Sequence, residues 1–153
     1  MQTLEPLIKA HPFFNGLEPA HLKLIVGCAR NERHAEGELL FREGEEANKF
    51  YVIREGRLAI DVHVPGRGPV CLQTLSDGEV LGAAWLFPPY RWQSSARVLQ
   101  PTRLLAFDGK CLRGKCDEDH HLGYELAKRA AQILMKSLDA ARLQLLDLYG
   151  VRT

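Results

Sequence analysis

Apolar residues recur with different spacings along the chain, and the changes in spacing mark three blocks. In the first block, residues 1–30, the segment EPAHLKLIVGCAR places apolar side chains three or four positions apart. The resulting stripe consists of Leu22, Ile25, Val26 and Ala29. Pro19 stands in the first turn, where helices favour proline. The first block is therefore predicted to be helical.

The second block, residues 31–107, consists of short runs of strand-forming residues separated by glycine. The runs are ELLF, FYVI, RLAIDVHV, PVCLQTL, SSARVLQ and TRLLAF. Turn signals recur about every ten residues, which is typical of an antiparallel sandwich or barrel. The PGRG segment between two runs predicts a hairpin tip. Four glycines are interpreted as turn residues: Gly37, Gly44, Gly56 and Gly78.

The third block, residues 108–153, returns to helical spacing. Asp108 is predicted to cap a short helix, and a long helix is predicted from about Asp119 to a stop at Gly150. The stripe of the long helix comprises Leu122, Leu126, Ala130, Ile133, Ser137, Ala141, Leu145 and Leu148, widened by Leu134 and Leu138.

The long helix has more apolar surface than one small domain can cover. At ~1.5 Å per residue it is about 45 Å long, which exceeds a compact barrel of this size. The surplus predicts a homodimer through residues 119–149, with a parallel helix from a second copy. The alternative is a helix that folds back entirely onto its own domain.

Length and charge narrow the class of protein. The 153 residues suit one domain, residues 1–153, and carry 20 basic against 19 acidic side chains. This balance gives no electrostatic case for nucleic acid binding. The N-terminus has no signal-peptide pattern, and no stretch approaches the ~18 apolar residues of a membrane span. We expect a cytoplasmic location and no membrane contact.

The four cysteines are predicted to be free thiols, because they form no CxxC pair and the expected compartment is reducing. Cys28 lies in an apolar segment and is predicted to be core. A metal or redox site could be imagined from Cys111 and Cys116 with His120 and His121, but the spacing matches no zinc pattern. The sequence therefore predicts no metal site, and the histidine pair is interpreted as solvated helix-entry residues.

No motif of a common enzyme class is present. The chain contains no GxSxG, no HExxH and no phosphate-binding glycine run. We predict that the protein is not an enzyme.

The order of a helix, several glycine-punctuated strands and a long terminal helix, together with four sequence stretches, resembles the cyclic nucleotide-binding domain family. The stretches are HPFFNGLEPAHLKLI, EGELLFREGEEANKFYVIREGRLAI, LSDGEVLGAAWLF and SSARVLQPTRLLAFD. The resemblance runs from about His11 to Leu148. It implies a double-stranded β-helix (jelly-roll) barrel over residues 31–107, flanked by N-terminal helices over 1–30 and C-terminal helices over 108–149.

The resemblance also implies a ligand site, the phosphate-binding cassette, within residues 78–97. In the family, a glutamate after the cassette glycine accepts the ribose hydroxyl, and an arginine about ten residues later pairs with the cyclic phosphate. Here the cassette glycine is Gly82, Ala83 stands in the glutamate's place and Ser94 in the arginine's place. Glu79 belongs to the preceding DGE turn, outside the expected pocket.

The candidate ligand-binding residues are Gly82, Ala83, Ala84, Arg91, Ser94, Ser95, Ala96 and Arg97. Arg91 and Arg97 are the possible substitutes for the missing arginine. Trp85 and Phe87 are predicted to be core. Tyr90 and Trp92 follow a Pro-Pro pair in a loop that looks exposed. They are expected either to close over the pocket or to form a patch for a protein partner.

Three hypotheses about function follow from these patterns. The first is a stand-alone regulatory or sensor domain with a divergent cassette, which takes another small ligand or answers to a protein effector. The second is a sensor that still binds cyclic AMP or cyclic GMP, with Arg91 or Arg97 replacing the lost arginine. The third is a ligand-free protein-interaction module. Because the chain ends at Thr153, soon after the long helix, we expect no DNA-binding domain within it.

Overall fold

The computed structural model describes residues 4–150, whose helices and strands follow the predicted order. The helices are α1 (Glu5–Ala10), α2 (Pro19–Val26), α3 (Gly109–Glu118) and α4 (His120–Leu148), with a 3-10 helix at Pro12–Phe14. The strands are β1 (Ala29–His34), β2 (Leu39–Phe41), β3 (Lys49–Val64), β4 (Gly68–Ser76), β5 (Val80–Leu81) and β6 (Ser95–Asp108).

All strand pairs in the sheet are antiparallel. The strand order is β1-β6-β3-β4, with β2 paired to β6 and β5 paired to β3. The longest ladder joins β3 to β6, from the pair Lys49–Asp108 at one end to the pair Asp61–Ser95 at the other. This sheet, with helices on either side of it in the chain, confirms the predicted jelly-roll class.

The prediction of many short strands was wrong in two places. FYVI and RLAIDVHV form the single strand β3, and SSARVLQ and TRLLAF form the single strand β6. Gly56 is therefore not a turn residue but lies inside β3, at φ +139 and next to shifts in the register with β6. Glycine is needed inside this strand, because Thr102 of β6 occupies the space that a Cβ would take.

The other turn predictions are confirmed. Gly37, Gly44 and Gly78 have positive φ and lie outside the strands, and PGRG forms the tip between β3 and β4. The helical block predicted for residues 1–30 ends earlier than expected. Helix α2 stops at Val26, and β1 already begins at Ala29.

The two faces of the β3–β6 ladder bury different cores. The helical core lies between the sheet and the helices and includes Phe14, Leu22, Phe50, Trp85, Phe107, Leu112, Leu122 and Leu126. The barrel core lies on the other face and includes Phe41, Tyr51, Ile53, Leu58, Ile60, Trp92, Ala96, Val98 and Leu104. Successive residues of one strand, such as Phe50 and Tyr51, alternate between them, because side chains alternate across a strand.

Helix α3 begins at the predicted cap Asp108, and α4 begins directly after Asp119, where the long helix was predicted to start. The Asp108 carboxylate accepts from the N–H of Cys111, and the Asp119 carboxylate accepts from the N–H groups of His121 and Leu122. The hydrogen bond from the Leu122 N–H, and to a lesser degree the one from His21, holds the pKa of the Asp119 carboxyl below its usual range. These two caps fix the residues at which α3 and α4 begin.

Only the first third of α4 is anchored in the helical core. Leu122, Leu126 and Ala130 are buried, and Arg129 donates to the carbonyls of Phe13 and Asn15, both at 2.6 Å. Beyond these residues α4 exposes Leu134, Met135, Leu138, Leu143, Leu145, Leu146 and Leu148. The predicted surplus of apolar surface is therefore present. Even so, neither α4 nor any other helix of residues 4–150 is long and apolar enough to cross a membrane.

The expectation of four free thiols was wrong. Cys28, just after α2, is bonded to Cys111 in the first turn of α3, across a sequence separation of 83 residues. Cys71 and Cys116 are free, the first exposed and the second buried. The predicted burial of Cys28 is confirmed. The pairing could not be seen from spacing, because only the fold brings α2 and α3 together.

We expect Gly56→Ala to destabilise the fold strongly. A Cβ at this position would lie 2.2 Å from Thr102 Oγ1 and 2.7 Å from its Cα. Gly66→Ala at the hairpin tip is the matched control, because its φ of +82 is also positive but nothing lies within 4 Å. The left-handed backbone alone costs about 1–2 kcal/mol, and overpacking adds about 1–3 kcal/mol. Urea unfolding should therefore show a clearly larger loss for Gly56→Ala, and equal losses would contradict this account.

Candidate functional site

The cassette after β5 connects the two cores through its two tryptophans. Trp85 packs in the helical core, with its ring centroid 5.1 Å from that of Phe50. Trp92 packs in the barrel core and stacks on Phe41 at 3.5 Å. The chain between them therefore crosses from one face of the sheet to the other and is fixed at both ends.

Backbone hydrogen bonds hold the far end of the cassette to the turn before β3. The N–H of Ala47 donates to the carbonyl of Tyr90 at 2.7 Å, and the N–H of Gly44 donates to the carbonyl of Trp92 at 2.8 Å. Gly82, at the near end, has φ +109 and allows close approach, since a Cβ there would lie 2.9 Å from the Trp92 ring.

A cavity of about 280 Å³ lies beneath the cassette. Strands β3, β4 and β5 contribute Ile60, Gln73 and Leu81 to its lining. The cassette contributes Gly82, Ala83, Ala84, Phe87, Pro88, Pro89, Arg91, Trp92, Gln93 and Ser94. Helix α4 closes one side with Ile133, Leu134 and Ser137. A ligand here would touch the barrel and the long helix at once.

The structure divides the predicted site residues into two groups. Gly82, Ala83, Ala84, Arg91, Trp92 and Ser94 line the cavity. Tyr90, Ser95, Ala96 and Arg97 do not line it. Ala96 is buried in the barrel core, and the Ser95 hydroxyl accepts from the N–H of Glu43 at 2.9 Å. The Glu79 carboxylate accepts from the N–H of Ser76, which agrees with its predicted place in the turn outside the pocket.

The two candidate arginines have different surroundings. Arg97 Nε donates to the buried carboxylate of Asp61 at 3.0 Å, so its charge is already paired. Arg91 is exposed, and its Nη1 donates to the carbonyl of Gly44 at 3.3 Å. Among the described residues that line the cavity, Arg91 is the one charged side chain. Only Arg91 is therefore placed to meet an anion in the cavity.

One of the predictions about aromatic residues was wrong. Trp85 is buried as predicted, but Phe87 is 41% exposed and not part of the core. Trp92 is 7% exposed and lines the cavity, which fits the first of its two alternatives, closure over the pocket, and leaves little of its ring for a partner protein. Tyr90 is half-buried, with the guanidinium of Arg113 4.2 Å above its ring centre.

Arg113, which sequence reasoning missed, joins the cassette to α3. Besides covering Tyr90, its Nη1 donates to the carbonyl of Trp85. The cavity residues Ile133 and Ser137 were also missed as lining, although both belonged to the predicted stripe of the long helix. The stripe marked both residues as candidates for burial. It did not indicate the direction in which the helix crosses the barrel.

The cavity offers little charge to a ligand. No carboxylate occurs among the described residues that line it. The neighbouring phenol of Tyr51 lies in the barrel core, where burial, followed by the charge of Glu32, raises its pKa well above the ordinary value. Tyr51 therefore stays neutral. It does not line the cavity, and the strand residues that do, Ile60, Gln73 and Leu81, are uncharged.

The metal or redox group imagined from Cys111, Cys116, His120 and His121 does not form. Cys111 is bonded to Cys28, and burial raises the pKa of the Cys116 thiol. The structure instead brings His121 together with Glu18 and His21.

Comparison with known proteins identifies the family. The family model described as the cyclic nucleotide-binding domain matches residues 31–119, more than half of the chain. The chain belongs to this family. A crystal structure of a protein from Geobacter metallireducens GS-15 superposes with a TM-score of 0.79, at 26% identity, over 90% of this chain and 99% of that one.

Two further proteins show how this fold is used elsewhere. The CRP-like cAMP-activated global transcriptional regulator of Mycobacterium tuberculosis is 21% identical over 134 residues, which are 88% of this chain and 60% of the regulator. The sensor domain of the transcriptional regulator DNR from Pseudomonas aeruginosa has a TM-score of 0.70, at 20% identity over 88% of this chain and 91% of that domain. The chain thus spans about three fifths of the length of the Mycobacterium tuberculosis regulator.

We expect Trp92→Ala to destabilise the protein by about 3–5 kcal/mol, because it removes the ring that stacks on Phe41 and leaves a cavity in the barrel core. Phe87→Ala is the control within the same cassette and should cost about 1 kcal/mol or less, since that ring is 41% exposed. Chemical unfolding of both variants measures the difference. Similar losses would mean that Trp92 does not anchor the cassette.

Proposed function

We propose that this chain is a non-catalytic regulatory sensor domain whose cassette has been rebuilt for a ligand other than an ordinary cyclic nucleotide. The observation that supports this most directly is the cavity lining. Ala83 and Ser94 stand where the family resemblance implies a glutamate and an arginine, and both line the cavity without either charge.

The missing charges are large enough to decide ligand class. A hydrogen bond to a charged group contributes about 1.5–3 kcal/mol, and every 1.4 kcal/mol is tenfold in affinity. Loss of both partners therefore weakens cyclic nucleotide binding by roughly 10²–10⁴.

The remaining lining favours a small ligand that is mostly apolar. Ile60, Leu81, Phe87 and Trp92 present carbon surfaces, while Gln73, Ser94 and Ser137 offer hydrogen bonds without charge. Such a mixture of apolar walls and a few polar groups is characteristic of small-molecule sites. Arg91 at the rim would accept a ligand with one anionic group.

Helix α4 provides a route from the ligand to an effector. Ile133, Leu134 and Ser137 form one side of the cavity, so a ligand that changes the packing there also biases the position of the exposed half of α4. Arg113 gives a second connection, from Trp85 and Tyr90 to α3. The effector is then a protein that contacts α4, or a second copy of the chain.

A second candidate function is a cyclic nucleotide sensor that uses Arg91. It is favoured by one observation, the position of Arg91 on the cavity, whereas the pairing of Arg97 with Asp61 counts against Arg97. A ligand-free interaction module based on Tyr90 and Trp92 is less well supported, because Trp92 is buried.

Calorimetric titration with cyclic AMP and cyclic GMP separates these functions. We expect no binding in the low-micromolar range, because the cavity lacks both partners of the ribose and phosphate. Low-micromolar binding of either nucleotide would overturn the proposal that the cassette has been rebuilt for another ligand. If such binding is lost in Arg91→Ala and kept in Arg97→Ala, the second candidate function replaces the first.

We also propose that the exposed half of α4 forms a parallel dimer. Leu134, Leu138, Ala141, Leu145 and Leu148 follow one another at alternating intervals of four and three residues. This spacing is that of a coiled-coil seam, and the leucines among these residues are 49–79% exposed in the single chain. A second copy that presents the same seam would cover them.

Leu138→Glu is expected to weaken dimerisation at least about tenfold, because it would bury an unpaired carboxylate in the seam. Leu143→Glu is the control: Leu143 is 62% exposed but stands outside the four-three pattern. Sedimentation equilibrium across a range of concentrations measures both variants. A monomeric parent chain, or equal effects of the two substitutions, would refute the proposed seam.

A further inference from the structure

Four side chains with metal-binding or charged groups meet where the start of α2 lies against the start of α4. Glu18 immediately precedes α2 and His21 lies in its first turn, while Asp119 caps α4 and His121 is its second residue. This place is distant in sequence from the cassette, and none of the four residues lines the cavity beneath it.

The geometry brings three potential ligands together. One oxygen of Glu18, one ring nitrogen of His21 and one ring nitrogen of His121 all lie within 4.8 Å of one another. The rings of His21 and His121 meet edge to face, with centroids 5.0 Å apart. The Glu18 oxygen lies 3.8 Å from His121 Nδ1.

His21 is an unusual residue in this position. It is 4% exposed, its Nε2 lies 3.0 Å from the Asp119 carboxylate, and its buried Nδ1 has no hydrogen-bond partner among the described residues. A buried polar atom without a partner is costly and calls for an explanation. Metal-binding histidines are usually oriented in this way, by a carboxylate that accepts a hydrogen bond from the ring nitrogen that does not bind the metal.

We propose that Glu18, His21 and His121 form a binding site for a divalent transition metal of the zinc type, supported by Asp119. Two imidazoles and one carboxylate suit Zn²⁺, whereas Mg²⁺ and Ca²⁺ prefer oxygen ligands alone. Three protein ligands also leave one coordination position for water.

The ligand atoms need only a small movement to bind the ion. Bonds of about 2.0–2.1 Å bring tetrahedral ligands to about 3.3 Å from one another. This is closer than the 3.8 Å between Glu18 and His121 and within the 4.8 Å that contains all three ligand atoms. Glu18 and His121 can supply the movement, because their side chains are 61% and 57% exposed. His21 is held in place by burial and so provides the fixed ligand.

The position of the site suggests what the metal would do. The ion would cross-link α2 to the first turn of α4, beside the part of α4 that Leu122 and Leu126 anchor. Binding to the folded chain only would raise the melting temperature and limit the movement of α4 against the N-terminal helices. The metal would therefore modulate the helix that the proposed sensor uses, although the site does not depend on that proposal.

The test is a Zn²⁺ titration by calorimetry, together with Co²⁺ titration followed by visible absorption, on the full chain without an affinity tag. The background carries Cys71→Ser, because the exposed Cys71 thiol would otherwise compete for metal. We expect saturable one-to-one binding that weakens at least about tenfold in Glu18→Gln and in His121→Ala. His120→Ala is the matched control, since the neighbouring His120 is outside the cluster.

Asp119→Asn probes the supporting carboxylate. Asparagine keeps the capping ability of this position but removes the charge beside His21, so it should weaken Zn²⁺ binding by about 10–100-fold without unfolding α4. Circular dichroism verifies the helix content of each variant. Zn²⁺ should also raise the melting temperature of the parent chain and of His120→Ala, but not of His121→Ala. Absence of one-to-one binding, or equal affinity in His121→Ala and His120→Ala, would overturn the site.

Discussion

The antiparallel pairing of β3 with β6 is the interaction on which the rest of the structure depends. The ladder is buried on both faces, so each strand supplies side chains to the helical core and to the barrel core in alternation. Gly56 allows Thr102 of β6 to approach β3 closely without ending the strand. If this pairing failed, the helices would lose the surface on which they pack and the barrel would lose its interior.

The cassette takes its shape from this two-sided arrangement. Trp85 is held on one face and Trp92 on the other, and the short loop between them has to cross the edge of the sheet. Trp92 then forms part of the cavity lining, while the alanine and serine that stand in the places of the family's charges leave that lining almost neutral. Under the proposed function, the cassette keeps the family scaffold but changes the chemistry that it offers to a ligand.

Helix α4 combines an anchored half with an exposed half. Its first turns are fixed by Leu122 and Leu126 in the helical core and by the bonds from Arg129 to Phe13 and Asn15. Its middle closes the cavity, and its last turns expose leucines at coiled-coil spacing. Under the proposed function, anchoring, ligand contact and partner contact therefore follow one another along a single helix, which is a simple physical basis for a sensor.

Much of the fold was predictable because it depends on local patterns. Caps such as Asp108 and Asp119 act on N–H groups two or three residues away, so the sequence determines where α3 and α4 begin. Turn glycines and strand alternation act over similarly short distances. The same locality explains the error at Gly56, since its place inside β3 is set by pairing with β6, whose Thr102 lies far away in the chain.

The composition of the candidate site was also readable in part from the sequence, because Ala83, Arg91 and Ser94, which the family resemblance singled out, line the cavity. Its geometry was not. Burial of Trp92 on Phe41, the pairing of Arg97 with Asp61, the Cys28–Cys111 bond and the meeting of His21 with His121 all join segments that are distant in the chain. The sequence by itself determined which groups the protein possesses and where its elements begin. Only the tertiary structure decided which groups meet, because long-range packing of the two cores sets those distances.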